Sequence, residues 1–492
     1  MSPNHAPAKR TAQQLPQRPQ AVTPLTESMA ESHVAGVCFK IGPPRLVGVE
    51  VEWFVHDDRC PGLPVAPERV TAAIASLPPH PDERAPEGRA PVGPAPDGRA
   101  ANIRANTPAD PAVIGPSANT PVLPEGSLVT LEPGGQVELS SPPADSLGAC
   151  VEATRRDLAV LRSAFAAQGL RLTGTGTDPL DRTRRMVLDH PRYLAMERFF
   201  ARGGPWGRIM MTGTASVQVC VDAGAEQGPH ALRDRWRLAH LLGPVLVAAF
   251  ANSPLLDGRP TGHRSTRQLV WSRMEPSRTL APATDHGDPR AAWASYVLDA
   301  EVLCIRRPDG MPWTAPTGLT FRDWLRGGGD RPPTLADLDY HRTTLFPPVR
   351  PRGHLELRMI DAQPGDGWVV PAAFTGALFD DPVAADAALA ALEPLGALEG
   401  PGTQRDALPP RSAVWQRAAT QAVGDPHLRR ATLACFAAAD AALARTPGAD
   451  HLRAAVAEFA DRYPARGRCP ADDQLDALRS GGRLSPPEGA SC

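Results

Sequence analysis

Lysine is nearly missing from this chain. Only Lys9 and Lys40 occur, and the other 50 of the 52 basic residues are arginine. Any site for an anionic group must therefore be built from arginine, a metal ion or backbone N–H groups. The eight cysteines (Cys38, Cys60, Cys150, Cys220, Cys304, Cys435, Cys469 and Cys492) are scattered, with no CxxC pair and no histidine partner at zinc spacing. That pattern excludes a zinc ribbon or finger, and in a chain of 492 residues it predicts reduced thiols rather than a disulfide framework. No long apolar run occurs either. The most apolar stretch, Leu241–Phe250, is far too short to span a bilayer, and the polar, Pro-rich first 30 residues hold no apolar signal region. These absences predict a cytoplasmic protein with no membrane contact. A formal charge of −2 leaves no electrostatic footprint for nucleic acid.

What is present is enough for a large core: 42% of the residues are apolar. Residues 1–25 read as a disordered tail, and 26–400 as the main domain. A stretch rich in Pro, Ala and Gly at 77–125 interrupts that domain and reads as a flexible insertion between two strands, the alternative being a substrate-covering loop. Residues 401–470 read as a helical part of the same domain and 471–492 as a tail. Strand patterns alternate at Val47–Val55, Ala215–Asp222 and Gly353–Ile360. Leu128–Leu139 reads as a hairpin turning at Pro133-Gly134-Gly135. Asp145 or Ser146 caps a predicted helix ending at Gly169, and Pro191 opens another that runs to about Arg202. Further helices are expected at 229–251, 290–306, 382–395 and 411–462, the last broken near Pro447-Gly448. Strands grouped with antiparallel turns, followed by helices, predict an α+β fold.

The chemistry lies in acids on strands. Glu50 and Glu52 stand two apart, on one strand face and roughly 7 Å from each other. The opposite face is valine and tryptophan. Such a pair fits a solvated outer face, or a cavity wall where a cation neutralises it. Glu132 and Glu138 flank the Gly-Gly turn, and Glu356 shares a strand face with Arg358. Five acids on three strands, each strand aliphatic on its other face, suit two or three Mg²⁺ ions, and magnesium clusters mostly serve phosphoryl transfer. The chain has no GxxxxGK[ST], no kinase motif set, no GxSxG and no HExxH. Arg267, Arg278, Arg350 and Arg358 are the arginines considered for phosphate or carboxylate contact, against an ordinary surface or ion-pair role for each.

The segments GVEVEWFV, LVTLEPGGQVELSSPP, MMTGTASVQVCVD, ANSPLLDGRPTGHRSTRQLVW, SRT and FPPVRPRGHLELRMIDAQP together resemble the glutamate–cysteine ligase family shared by plants and many bacteria. The likeness is nearest to the actinobacterial branch that feeds ergothioneine synthesis, and it runs from about residue 25 to about residue 375. It implies a glutamine-synthetase-like fold, with a curved, mainly antiparallel sheet forming a funnel for ATP, Mg²⁺ and L-glutamate. It further implies that ATP phosphorylates the γ-carboxylate of glutamate and that the amine of L-cysteine attacks the acyl phosphate.

By the same resemblance, Glu50, Glu52, Glu132, Glu138 and Glu356 are metal-binding, Glu132 being the least secure. Arg278 and Arg358 contact phosphate or the transition state. Gln218, Arg267 and Arg350 face substrate or nucleotide, and Trp271 packs beside the pocket or belongs to the core. Cys220 and Ile360-Asp361-Ala362 depart from the plant pattern, and so does the long insertion, which leaves the acceptor open. A monomer or homodimer is expected. The competing readings are a ligase for a different amine and an inactive binding protein on the same fold.

Overall fold

The computed structural model describes residues 24–78, 122–282, 287–308, 310–399 and 408–481. The expected tail to residue 25 and the expected insertion at 77–125 fall largely outside these residues.

Alternating valines make the central strand. β1 (Val47–Asp57) buries Val47, Val49, Val51, Trp53 and Val55, and turns Gly48, Glu50 and Glu52 to the other face. It pairs antiparallel with β3 (Val137–Ser140), which forms a hairpin with β2 (Leu128–Leu131). Toward its end β1 also pairs with β4 (Leu170–Thr173). On its other side lies β5 (Ser216–Asp222), flanked in turn by the hairpin of β8 (Val349–Pro351) and β9 (His354–Asp361). The order β2-β3-β1-β5-β9-β8 makes one antiparallel sheet, and β6 (Leu255–Leu256) and β7 (Arg259–Pro260) form a separate small ribbon. The expected α+β class and antiparallel sheet are both present. The register of β5 against β9 slips between Val217 and Val219, a bulge that re-aims the side chains around Gln218.

The apolar face of the sheet packs on helices Leu147–Ala167, Gly243–Phe250 and Val369–Asp380. Side chains such as Val51, Val219, Leu355 and Leu357 are fully enclosed there, each worth about 1.5–3 kcal/mol of burial. The helices Pro426–Arg445 and Asp450–Arg462 extend this core through Phe250, Phe374, Phe436 and Phe459, with Phe374 and Phe436 ring centres 4.5 Å apart. One apolar cluster thus runs from Ala30 to Ala471.

Local rules account for most helix boundaries. Ser146 accepts a bond from the Ala149 N–H at 3.2 Å, and Gly169 takes a left-handed φ of +65° just beyond the helix end. Four expectations need correction. The helical stretch expected over 411–462 breaks near Pro447-Gly448 and also between Gln421 and Pro426, where Ala422 takes a positive φ of 52°, giving Ala413–Gln421, Pro426–Arg445 and Asp450–Arg462. The helix expected over 229–251 is two helices, Leu232–Leu241 and Gly243–Phe250, which meet where Pro244 lacks the N–H to continue the ladder. The helix expected over 290–306 ends at Asp299 because Ala300 turns to an extended conformation. The expected tail from 471 opens with a helix, Pro470–Arg479. Cys38, Cys150, Cys220, Cys304, Cys435 and Cys469 are free thiols. Among the described residues no helix is long and apolar enough to cross a membrane.

Candidate active site

Strand parity and register bring the predicted acids together on the polar sheet face. Glu52 of β1 stands directly opposite Glu138 of β3, and Glu50 stands opposite Gln218 of β5. Cys220 of β5 pairs with Glu356 of β9, and Arg350 of β8 pairs with that same Glu356. Glu132 sits in the β2–β3 turn, where the Gly135 N–H donates to the Glu132 carbonyl at 2.8 Å. The turn is tight: a Cβ on Gly134 would stand 2.5 Å from the Thr212 Cα.

A polar chain crosses the strands. The Ser216 N–H and hydroxyl donate to the two oxygens of Glu52, both at 2.8 Å, and the Gln218 amide donates to Glu52 Oε1 at 3.0 Å. The Gln218 carbonyl oxygen accepts from Arg358, which also donates to Glu356 Oε1 at 2.6 Å. Arg350 grips Glu356 with a two-pronged contact, from Nε to Oε2 at 2.7 Å and from Nη2 to Oε1 at 2.8 Å. Glu138 accepts from the Thr130 hydroxyl at 2.9 Å.

The charges divide into two groups. Glu50, Glu52, Glu132 and Glu138 are pushed above the ordinary carboxylate range, by burial first. Glu50 reaches about 8, its neighbours Glu356 and Glu138 adding to the effect of burial. Glu138 and Glu52 act on Glu132 in the same way. Glu356 goes the other way. Burial would raise it, but Arg350, Arg358 and Arg352 together hold its carboxyl well below the usual range.

Ionised together, these acids would carry more negative charge than the protein neutralises, and their hard oxygen donors fit Mg²⁺. Among the described residues no three Asp, Glu, His or Cys side chains converge tightly enough to hold one ion by themselves. Mg²⁺ suits that arrangement, since it is usually held by one or two carboxylates and completed by substrate phosphates and water. Both oxygens of Glu356 accept from arginines, so in this arrangement Glu356 organises the cations beside the acids.

Arg278 also departs from expectation. It is fully buried and not among these groups. Its guanidinium donates to the carbonyls of Thr344 (2.9 Å) and Glu301 (2.5 Å) and to Glu275 Oε2 (3.1 Å), and lies over the Phe199 ring. With its donors spent on the framework, this guanidinium offers no direct substrate contact in this arrangement. Arg267 lies nearer the site: its Nη2 donates to the Arg358 carbonyl at 2.9 Å, and its guanidinium stacks 5.8 Å from the centre of the Trp271 ring. Arg267, Trp271 and Arg358 line one cleft.

Sequence reasoning missed Arg352. Its Nη1 stands 3.8 Å from both Glu50 and Glu356, bridging the two charge groups. Its spacing, two after Arg350 and four before Glu356 across a Gly353 turn, carried the signal. Ser216, which holds Glu52, was legible from its alternation with Gln218.

The model of the glutamate–cysteine ligase family 2 matches residues 46–487. The glutamate–cysteine ligase EgtA of Mycolicibacterium smegmatis is 44% identical over 366 residues, covering 71% of this chain and 81% of that protein. Its counterpart in Mycobacterium tuberculosis is 44% identical over 372 residues, covering 74% and 80%. The chloroplastic glutamate–cysteine ligase of Medicago truncatula is 32% identical across about half of each chain, 51% and 50%. A solved glutamate–cysteine ligase from Francisella tularensis in complex with AMP aligns over 90% of this chain and 86% of its own. At 14% identity and a TM-score of 0.49 that likeness carries no argument about residues. On the matched family model and the identity to the mycobacterial enzymes, this chain belongs to the glutamate–cysteine ligase family 2.

Proposed function

We propose that this chain is an ATP-dependent glutamate–cysteine ligase that makes γ-glutamylcysteine for ergothioneine synthesis. The observation that carries the reading is the shared sheet face, where four under-neutralised carboxylates stand beside an arginine group organised by Glu356. A reaction between two anions, the γ-phosphate of ATP and the γ-carboxylate of glutamate, needs both halves of such a face.

In the first step a glutamate γ-oxygen bonds to the terminal phosphorus of ATP, the bridging P–O bond breaks, and ADP leaves. Arg350, Arg352 and Arg358, gathered on Glu356, would absorb charge on the transferring phosphoryl. Gln218, tied to both Glu52 and Arg358, fixes the spacing between the acid side and the arginine side. In the second step the cysteine nitrogen bonds to the acyl carbon, the carbon–oxygen bond to phosphate breaks, and phosphate leaves with the amine proton. Mg²⁺, two or three ions in this proposal, bound by Glu50, Glu52, Glu132 and Glu138, would supply charge neutralisation for the nucleotide phosphates.

The test is acceptor-dependent ADP release. Purified protein with Mg²⁺, ATP and glutamate should release ADP on addition of cysteine, and mass spectrometry should find γ-glutamylcysteine in equal amount. If cysteine yields no more ADP than buffer, the assignment is wrong.

A further inference from the structure

Counting by two from Glu356 puts Asp361 on the aliphatic face of β9, yet it comes out on the polar one. The cause is the slip in register against β5. Arg358 and Met359 together stand opposite Gln218, and the extra residue shifts the alternation by one. Ile360 then faces Val217, and Asp361 faces Ser216, the residue that holds Glu52. Asp361 is 2% exposed, and a Cβ on Gly176 would stand 2.4 Å from its Cγ, so the loop passes it only as glycine.

Three neutral donors hold this buried carboxylate. The Asn252 N–H donates to Oδ2 at 2.9 Å, the Ser253 hydroxyl to Oδ2 at 2.6 Å, and the Ser265 hydroxyl to Oδ1 at 2.9 Å. Both serines also accept from the first turn of the helix Thr266–Ser272. Ser253 Oγ takes the Arg267 N–H at 3.1 Å, and Ser265 Oγ takes the Gln268 N–H at 3.2 Å. One carboxylate thus closes two relays at the helix start, where negative charge is favoured.

The same helix grips the bulge. An extra residue drops out of the ladder, and its backbone groups must be answered elsewhere. Here Arg267 Nη2 donates to the Arg358 carbonyl at 2.9 Å, and the Gln268 amide donates to the Met359 carbonyl at 2.8 Å. Helix and strand are therefore joined at residues 358, 359 and 361. The side chain that leaves the bulge toward the sheet-face cluster is Arg358, which donates to Gln218 and Glu356. With its oxygens turned to the three donors, Asp361 acts on the reaction only through what it holds.

Resting on the ligase reading above, we infer that Asp361 is a positioning residue: through Ser253 and Ser265 it sets the helix Thr266–Ser272 against the bulge, and so fixes the guanidinium that Arg358 presents to the transferring phosphoryl.

A double-mutant cycle on cysteine-dependent ADP release tests this. The charge that Arg358 answers develops in the transition state, so misplacing Arg358 lowers kcat and leaves substrate binding alone. D361N keeps the size of the side chain but sets an amide against the donors at one oxygen. Its kcat should fall about tenfold, with KM for ATP, glutamate and cysteine each within about threefold of wild type. In an R358K background, where the planar fork is already lost, D361N should cost less than about twofold more. S265A opens one relay only and should show the same pattern, with a fall in kcat of about threefold.

A kcat for D361N within about twofold of wild type would overturn the inference, and so would a rise in any KM in place of the fall in kcat. Equal losses from D361N in the wild-type and R358K backgrounds would also overturn it, because a merely structural loss carries over unchanged. If D361N does not fold, the S265A cycle is read by the same criteria. Each of these outcomes leaves the ligase reading standing. Wild type that releases no ADP with any amine would overturn that reading, and this inference with it.

Discussion

Glu52 and Glu138 face each other across one rung of the β1–β3 ladder, a placement that costs stability unless a cation answers it. Glu138→Gln keeps the shape and the bond from Thr130 while removing the charge. It should lower cysteine-dependent ADP release by about 10³-fold with the melting temperature unchanged or raised; near-native turnover would remove Glu138 from the metal set. Glu52→Ala should also abolish turnover, but at some loss of stability, because Ser216 and Gln218 lose their acceptor.

Glu50, at about 8 in the folded protein, holds its proton to higher pH than in the unfolded chain. Between about pH 5 and 8 the folded state therefore binds more protons, so metal-free stability falls as pH rises through that window. Glu356, shifted the other way, acts below it. Added Mg²⁺ should accordingly raise the melting temperature more at pH 8 than at pH 6, and an equal gain at both would argue against these acids as the cation site.

Elements carry these residues to one place, and they were unequally visible in the sequence. β1, β3, β5 and β9 were legible because each carries aliphatic residues on one face and polar ones on the other, so alternation shows. β4, four residues long, and β8, three residues long and starting beside Pro347-Pro348, are too short for a period to emerge. The helix Val369–Asp380 escaped because all of its residues but the last are buried, which leaves no amphipathic stripe. The acids of the site were readable from strand parity. The pairing of Glu356 with Arg350 depends on which strands are neighbours, and a single sequence does not display that. The same limit hid the framework role of Arg278, whose partners lie at Thr344 and Glu301.

The β2–β3 turn offers a test at this scale. A methyl on Gly134 would collide with the Thr212 backbone and with Gln136 Oε1, 2.6 Å away. Gly134→Ala should cost about 1–3 kcal/mol of stability and lower turnover by displacing Glu132 and Glu138. Unchanged melting would mean that the turn relaxes freely.

At the scale of the whole molecule, the C-terminal helix braces the site from behind. The Ala471 N–H donates to the Ala251 carbonyl at 2.9 Å, Gln474 donates to the Asn252 side-chain oxygen at 2.6 Å, and Arg264 pairs with Asp472 at 2.7 Å. Asn252 in turn donates to the carbonyls of Gly174 and Ala362, next to the end of β9. Ending the chain after Gly481 should leave melting and turnover intact, whereas ending it after Cys469 should lower both, as read by thermal denaturation and ADP release. Equal behaviour of the two truncations would show that the brace is dispensable.

The scarcity of lysine has a consequence for the reaction cycle itself. An acyl phosphate is an acylating agent and attacks any amine within reach. The cations of the sheet face and its cleft, Arg350, Arg352, Arg358 and Arg267, are guanidiniums that stay protonated and do not act as nucleophiles. The thiol on that face, Cys220, is kept protonated by burial and by the charges of Glu50 and Glu356. An arginine-built site thus places no amine nucleophile among the cations of that face, which limits self-acylation in competition with the substrate amine.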